Sequence, residues 1–208
     1  MAKKVLIFGF EPFLSYNYNA SGEIAGKLNG KTVGDAKVIG KVLPVAHKAS
    51  AEIAKKIIED ERPDAVIVLA QAAQKGCITL ERVALNWYYF NKEGEIDEPL
   101  HRGEQQAYFS TLPLPEIKSD LEGANIPAEY SFTADTYVSN EVFYETMRSA
   151  QMHKVKHAGL IHLPLVPQQV IAKKELHYAT RIGIPSMNML TMETAIRVVI
   201  NALTSGRK

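Results

Sequence analysis

The sequence predicts an α/β fold, a single domain over residues 1–208 with a mainly parallel twisted sheet and helices on both faces. Three observations carry this expectation. Short, fully apolar runs such as Val5 to Gly9 and Ala65 to Ala70 read as strands buried on both sides. Between them lie segments with helical apolar spacing, such as Ile53, Ala54, Ile57 and Ile58. The two patterns alternate along the whole chain, with no linker, internal repeat or low-complexity tract between them.

The elements follow in order. Val5 to Gly9 is the first strand, and a helix near Gly22 to Leu28 has Ser21 as its expected cap and Asn29-Gly30 as its stop. Val38 to Val45 reads as a second strand, Ser50 to Asp60 as a helix ended by Pro63-Asp64, and Ala65 to Ala70 as a third strand. Ile78 to Trp87 is mixed in character, and the Glu- and Gly-rich segment Asn91 to Gln106 is loop or hairpin. Pro115 to Glu122 reads as a helix opened by proline and closed by Gly123. Ala128 to Phe132 is strand-like, Asn140 to Ser149 helical, and Ala158 to Leu163 strand-like again. Lys173 to Pro185 reads as irregular, and Thr191 to Leu203 as the last helix.

Bulk properties exclude several classes of function. With 46% hydrophobic and 23% charged residues the composition is ordinary for a folded domain. A net charge of +1, without a basic run, offers no handle for nucleic acid or an anionic membrane. No apolar stretch approaches the roughly 18 residues of a membrane span, and the N-terminus lacks the pattern of a signal peptide. The expectation is a soluble cytoplasmic protein. Cys77 is the only cysteine, so neither an intrachain disulfide nor a cysteine-rich zinc site can form. His153 and His157 are four apart, but Lys154 and Lys156 between them mark a solvated surface, and no metal site is expected.

Sites on such sheets form beyond the carboxyl ends of the strands, so the segments just after strands matter most. Gly9-Phe10-Glu11-Pro12-Phe13 places two aromatics around a proline turn, as pocket walls or as core residues folding back on the sheet. Ser139 stands where a strand gives way to a helix: a nucleophile near helix N-terminal amides, or simply the helix cap. His162 interrupts an apolar strand, as a general base or as a satisfied core histidine. Glu81 is a carboxylate among apolar neighbours, able to orient that histidine or to pair with Arg82. Ser, Glu and His make a usable triad only if the fold brings them together.

At these same segments the chain resembles the pyroglutamyl peptidases (pyrrolidone-carboxyl peptidases). The resemblance rests on Gly9-Phe10-Glu11-Pro12-Phe13, Gln71, Ile78 to Asn86, Tyr108 to Pro113, Gly123 to Ala128, Ile161-His162-Leu163-Pro164 with Pro167-Gln168-Gln169, and Pro185-Ser186-Met187. Their order and spacing agree from about residue 3 to 203. The resemblance implies a cytoplasmic homotetrameric omega-peptidase, without metal or organic cofactor, that removes N-terminal pyroglutamate from peptides. It assigns Glu81 as orienter, His162 as base and acid, residue 139 as nucleophile, and Phe10, Phe13 and Gln71 as the lactam pocket.

The chain departs from the family's pattern at the nucleophile, which is Ser139 rather than cysteine, and at Asp135, where the family has glycine. Ala70, Ala73 and Gln74 replace glycines, Lys75 replaces arginine, and Trp87-Tyr88-Tyr89-Phe90 stands in a shortened loop. A thiol beside histidine can ionise in advance of reaction, whereas a hydroxyl loses its proton only during attack. Three readings follow: a pyroglutamyl peptidase, working or inactivated by exchange at residue 139; a non-catalytic member that binds an N-terminal lactam or other small ligand; and a serine-type hydrolase using Ser139 with His162 on another amide.

Overall fold

The computed structural model describes residues 3–14, 16–90, 96–172 and 183–204. Part of the expected loop after Asn91 and most of the irregular stretch from Lys173 lie outside the described residues. The centre is a seven-stranded sheet in the order β10-β5-β11-β4-β1-β3-β2. Its members are β1 (Lys3–Phe10), β2 (Thr32–Val33), β3 (Ala36–Leu43), β4 (Ala65–Gln71), β5 (Ile78–Glu81), β10 (Ala128–Ser131) and β11 (His157–Leu163).

Strands β3, β1, β4 and β11 run parallel, as the apolar runs predicted. The sheet is nonetheless mixed. β5 lies antiparallel to β11, β10 runs parallel to β5, and the short β2 is an antiparallel edge on β3. Two small ladders lie outside the sheet: β6 (Val83–Leu85) with β9 (Ala107–Phe109), and β7 (Tyr88–Phe90) with β8 (Ile96–Glu98).

Alternation along the strands sends side chains to two cores. Val5, Ile7, Ile67, Leu69, Ile161 and Leu163 face α1 (Ala20–Leu28), α3 (Leu114–Gly123) and α6 (Met189–Thr204). Leu6, Phe8, Phe10, Val68, Ala70 and Leu160 face α2 (Ala49–Glu61) and α4 (Val138–His153). A short helix, α5 (Pro167–Ala172), follows β11.

Two details correct the expected caps. Asn19, not Ser21, caps α1: its side chain accepts from Ser21 N–H at 3.1 Å. Ser21 instead accepts from Phe10 N–H at 3.1 Å, tying the end of β1 to the helix. That close approach explains Gly9, because a Cβ there would sit 2.2 Å from the Ser21 carbonyl oxygen. The α4 helix begins at Val138 with Tyr137 as N-cap, so Ser139 lies inside the first turn and does not cap it.

Candidate active site

Strand parity explains the central pair of the site. In the antiparallel β11–β5 register His162 faces Thr79 and Ile161 faces Leu80, so Glu81 is the diagonal neighbour of His162 on the same face. A long carboxylate spans that diagonal. His162 Nδ1–H donates to Glu81 Oε1 at 2.8 Å, with Glu81 0% and His162 5% exposed. This bond fixes the imidazole tautomer and leaves the Nε2 lone pair free to take a proton. Glu81 Oε2 is buried and has no partner among the described residues, so the carboxylate is committed to the histidine alone. Arg82 is not its partner; the guanidinium sits 4.3 Å above the Tyr130 ring and 5.6 Å from that of Phe132.

The position of Ser139 follows from the α4–β11 unit. The helix has 16 residues and the strand 7, each about 23–24 Å long. They are joined by Lys154 to Lys156, with Lys154 in the left-handed conformation (φ 57°) that reverses the chain. The helix therefore runs back along β11, and its first turn lies level with the carboxyl end of the strand. It packs on the face that carries Leu160, and His162 follows two residues later on that face. Ser139 and His162 thus share one face and one end of the sheet. No hydrogen bond joins Ser139 Oγ to His162 among the described residues.

The first turn of α4 also presents donors. Its first intrahelical bond runs from Glu141 N–H to Tyr137 O, so the amides of Val138, Ser139 and Asn140 are the free N-terminal donors of the helix. Tyr137 supplies no side-chain cap for them. Together with the helix dipole they favour negative charge at this point.

Of the residues expected to form a lactam pocket, Phe10 and Gln71 lie at the topological switch point, with Phe10 on the α2–α4 face of the sheet and Gln71 on the α1 face. From β1 the chain continues to β3 on one side, and from β4 it proceeds to strands on the other, which opens a crevice between β1 and β4. Phe10 and Gln71 are the last residues of these two strands. Phe10 is buried in the α2–α4 core, while Phe13 is half-buried with its ring 5.8 Å from that of Tyr16. Gln71 Oε1 accepts from Gln169 Nε2 at 3.0 Å and from Ala20 N–H at 3.4 Å. That assigns the amide orientation and leaves Nε2 as a buried donor without a partner among the described residues.

Gln169 enters the sequence reading only within the Pro167-Gln168-Gln169 motif, with no role assigned to it. Its Nε2 also donates to Tyr18 O at 2.9 Å, and its Oε1 accepts from Val166 N–H at 3.0 Å. The available signal is its place just after a strand that ends in a candidate catalytic residue. Asn140 is equally silent, for a polar residue within an apolar helix pattern reads as surface; it is 0% exposed.

The departures from the family pattern now have places. Ala70 stands in register beside His162, so its methyl group narrows the space next to the imidazole. Asp135 has φ 58°, the left-handed conformation that glycine adopts freely and aspartate tolerates better than most residues. The aromatic run is exposed only at Trp87: Tyr88 is buried and stacks on His47 at 3.8 Å, and the half-buried Phe90 meets Tyr137 edge-on at 6.2 Å. A cleft of about 190 Å³ opens beside the stacked His47–Tyr88 pair, between α2, α4 and the β8–β9 connection, lined also by His101, Glu141 and Glu145. Among the described residues no three histidine, cysteine or acidic side chains gather as metal ligands. No helix among them is long and apolar enough to cross a membrane.

Known proteins resemble this chain over nearly its whole length. The family model described as pyroglutamyl peptidase matches residues 3–205. The pyrrolidone-carboxylate peptidase of Bacillus cereus strain AH820 is 34% identical, covering 98% of this chain and 94% of its own. That of strain Q1 is 35% identical over the same shares. Among solved structures, a variant of pyrrolidone carboxyl peptidase from P. furiosus superimposes with a TM-score of 0.90 at 36% identity, covering 98% of this chain and 100% of that one. A likeness of this depth, end to end in both sequence and fold, means that the chain belongs to the pyroglutamyl peptidases, a family of cysteine-type hydrolases.

Proposed function

We propose that this protein recognises N-terminal pyroglutamyl peptides and cleaves off the pyroglutamyl residue, with a turnover far below that of a thiol member because its nucleophile is Ser139. The observation that carries the reading is the buried Glu81–His162 pair, on the face and at the strand end where α4 presents Ser139. Phe10 and Phe13 wall the flat lactam ring, and Gln71 Nε2, a buried donor in need of an acceptor, bonds its carbonyl. Ser139 Oγ attacks the scissile carbonyl while His162 Nε2 takes the hydroxyl proton. The free amides of Val138 to Asn140 hold the oxyanion. His162 then passes the proton to the leaving amine, and water releases pyroglutamate from the acyl-enzyme by the reverse roles. The reaction uses no metal or organic cofactor. The working form is a cytoplasmic homotetramer, a reading supported by family membership and by the exposed Phe109 and Phe132 at 69% and 68%.

A second reading, a lactam-binding protein without turnover, is favoured by Ala70 beside His162 and by the missing Ser139–His162 hydrogen bond. One experiment separates the two. Hydrolysis of a pyroglutamyl coumarin amide is compared for the natural chain and Ser139→Cys. We expect the variant to gain several orders of magnitude, about 1.4 kcal/mol of barrier per decade, and to become sensitive to iodoacetamide. No gain with pyroglutamate still bound establishes the binding protein. Robust activity of the natural chain that is abolished by Ser139→Ala establishes a serine-type hydrolase.

A further inference from the structure

Ser139 Oγ makes no hydrogen bond of its own among the described residues, so something else must hold it in place. The residue after it is the best-bonded side chain in this part of the molecule. Asn140 is fully buried, and its amide uses three positions on one corner of the chain. Oδ1 accepts from Leu85 N–H at 2.9 Å, while Nδ2 donates to Leu85 O at 2.9 Å and to Trp87 O at 3.0 Å. These bonds stitch the first turn of α4 to the β6–β7 corner. The corner is itself braced: Asn86 bonds the backbone of His101 in both directions at 2.8 Å, and Tyr89 N–H donates to Thr136 O at 3.0 Å. On the other side Glu141 accepts from Lys48 N–H at 2.9 Å and from His47 Nδ1 at 3.1 Å.

We infer that Asn140 is a positioning residue for the nucleophile: by pinning the first turn of α4 to Leu85 and Trp87 it sets where the side chain at 139 stands relative to His162. No bond from Asn140 reaches the reacting atoms, and its action is through Ser139. The geometry favours this over a purely structural role in one respect. A bidentate amide fixes the rotation of the turn as well as its distance, and rotation of that turn is what swings residue 139 toward or away from the imidazole. Val138, Val142 and Phe143 in the core, and Glu141 on Lys48 and His47 just ahead of α2, hold the helix as a whole, whereas the Asn140 amide acts directly on the turn that carries residue 139.

This inference rests on the proposed function, and its test is read in the Ser139→Cys background, where the introduced thiol reports its own surroundings. The pH dependence of alkylation at position 139 by iodoacetamide is followed by peptide mass spectrometry, with Cys77 as the internal reference, alongside kcat and KM. The variants are Asn140→Asp, which keeps the acceptor and removes the donors, and Asn140→Ser, which shortens the side chain without adding charge. Asn29→Ala, which removes a bond to Gly40 N–H far from the site, controls for lost stability.

Each folded Asn140 variant is expected to raise the alkylation midpoint of the introduced thiol by about one pH unit. It is also expected to lower kcat on the order of a hundredfold, with KM changed less than about twofold. An unchanged midpoint and kcat in a folded variant overturn the inference. So does an equal loss in Asn29→Ala, or failure of both Asn140 variants to fold, either of which assigns the residue to the fold alone. If the parent Ser139→Cys protein shows an ordinary thiol and no turnover, the proposed function itself fails, and the positioning role with it.

Discussion

At the scale of single residues, the exchanges near the nucleophile are physically distinct. Ser139 changes the chemistry, because oxygen cannot be ionised in advance by a neighbouring imidazole as sulfur can. Asp135 changes the backbone: at φ 58° an L-residue is strained, and aspartate limits that strain where glycine would remove it. A branched side chain at this position is expected to destabilise the protein by about 1–2 kcal/mol, whereas glycine should leave stability within about 0.5 kcal/mol. Urea unfolding of Asp135→Val and Asp135→Gly checks this, and equal stabilities for the two would remove strain as the reason for glycine in the family. The polar residues that matter here are unevenly legible in the sequence. His162 and Glu81 stand out because each interrupts an apolar strand, yet only the antiparallel β5–β11 register makes them partners, and no local pattern encodes a pairing 81 residues apart. Asn140 carries no signal, since its three partners are backbone groups, which look alike in any sequence.

At the scale of elements, the long helices are legible in the sequence and the short strands are not. The expected helix Ser50 to Asp60 is observed as Ala49–Glu61, and Thr191 to Leu203 as Met189–Thr204, because an apolar stripe over several turns averages out local noise. Strands of two or three residues, such as β2 and β7 to β9, hold too few positions to show a period. The contact of α2 with α4 carries a further consequence. Burial raises the pKa of the Glu141 carboxyl, an effect that His47 and the Lys48 N–H and ammonium only partly oppose. The folded protein then binds the Glu141 proton more readily than the unfolded chain. Its contribution to stability is fully present below the ordinary carboxylate range and is lost as pH rises through the raised folded value. Denaturation of the natural chain and Glu141→Gln at steps from about pH 4 to 7 should show the variant gaining relative stability as pH rises. A constant difference across that range would mean that Glu141 titrates alike in both states.

At the scale of the whole molecule, exposed aromatic side chains at the edge of the fold bear on assembly. Phe109 in β9 and Phe132 after β10 present large apolar surfaces, and Phe132 already carries the Arg82 guanidinium at 5.6 Å. Light scattering at micromolar concentration is expected to give the mass of a homotetramer, and Phe132→Glu to shift it toward smaller species. A monomer alone in the natural chain would count against the assembly.

The placement of β5 has a consequence for the order in which this protein comes into being. Both of its sheet neighbours, β10 and β11, are made later than β5 itself, so β5 emerges from the ribosome with no strand to pair with. Meanwhile β1, β3 and β4 can already assemble with α1 and α2. The edge of β4 that will receive β11 then stays open until the C-terminal third has been synthesised. Glu81 keeps its water until His162 arrives, and the chemistry of the site becomes possible only when the last central strand closes the sheet.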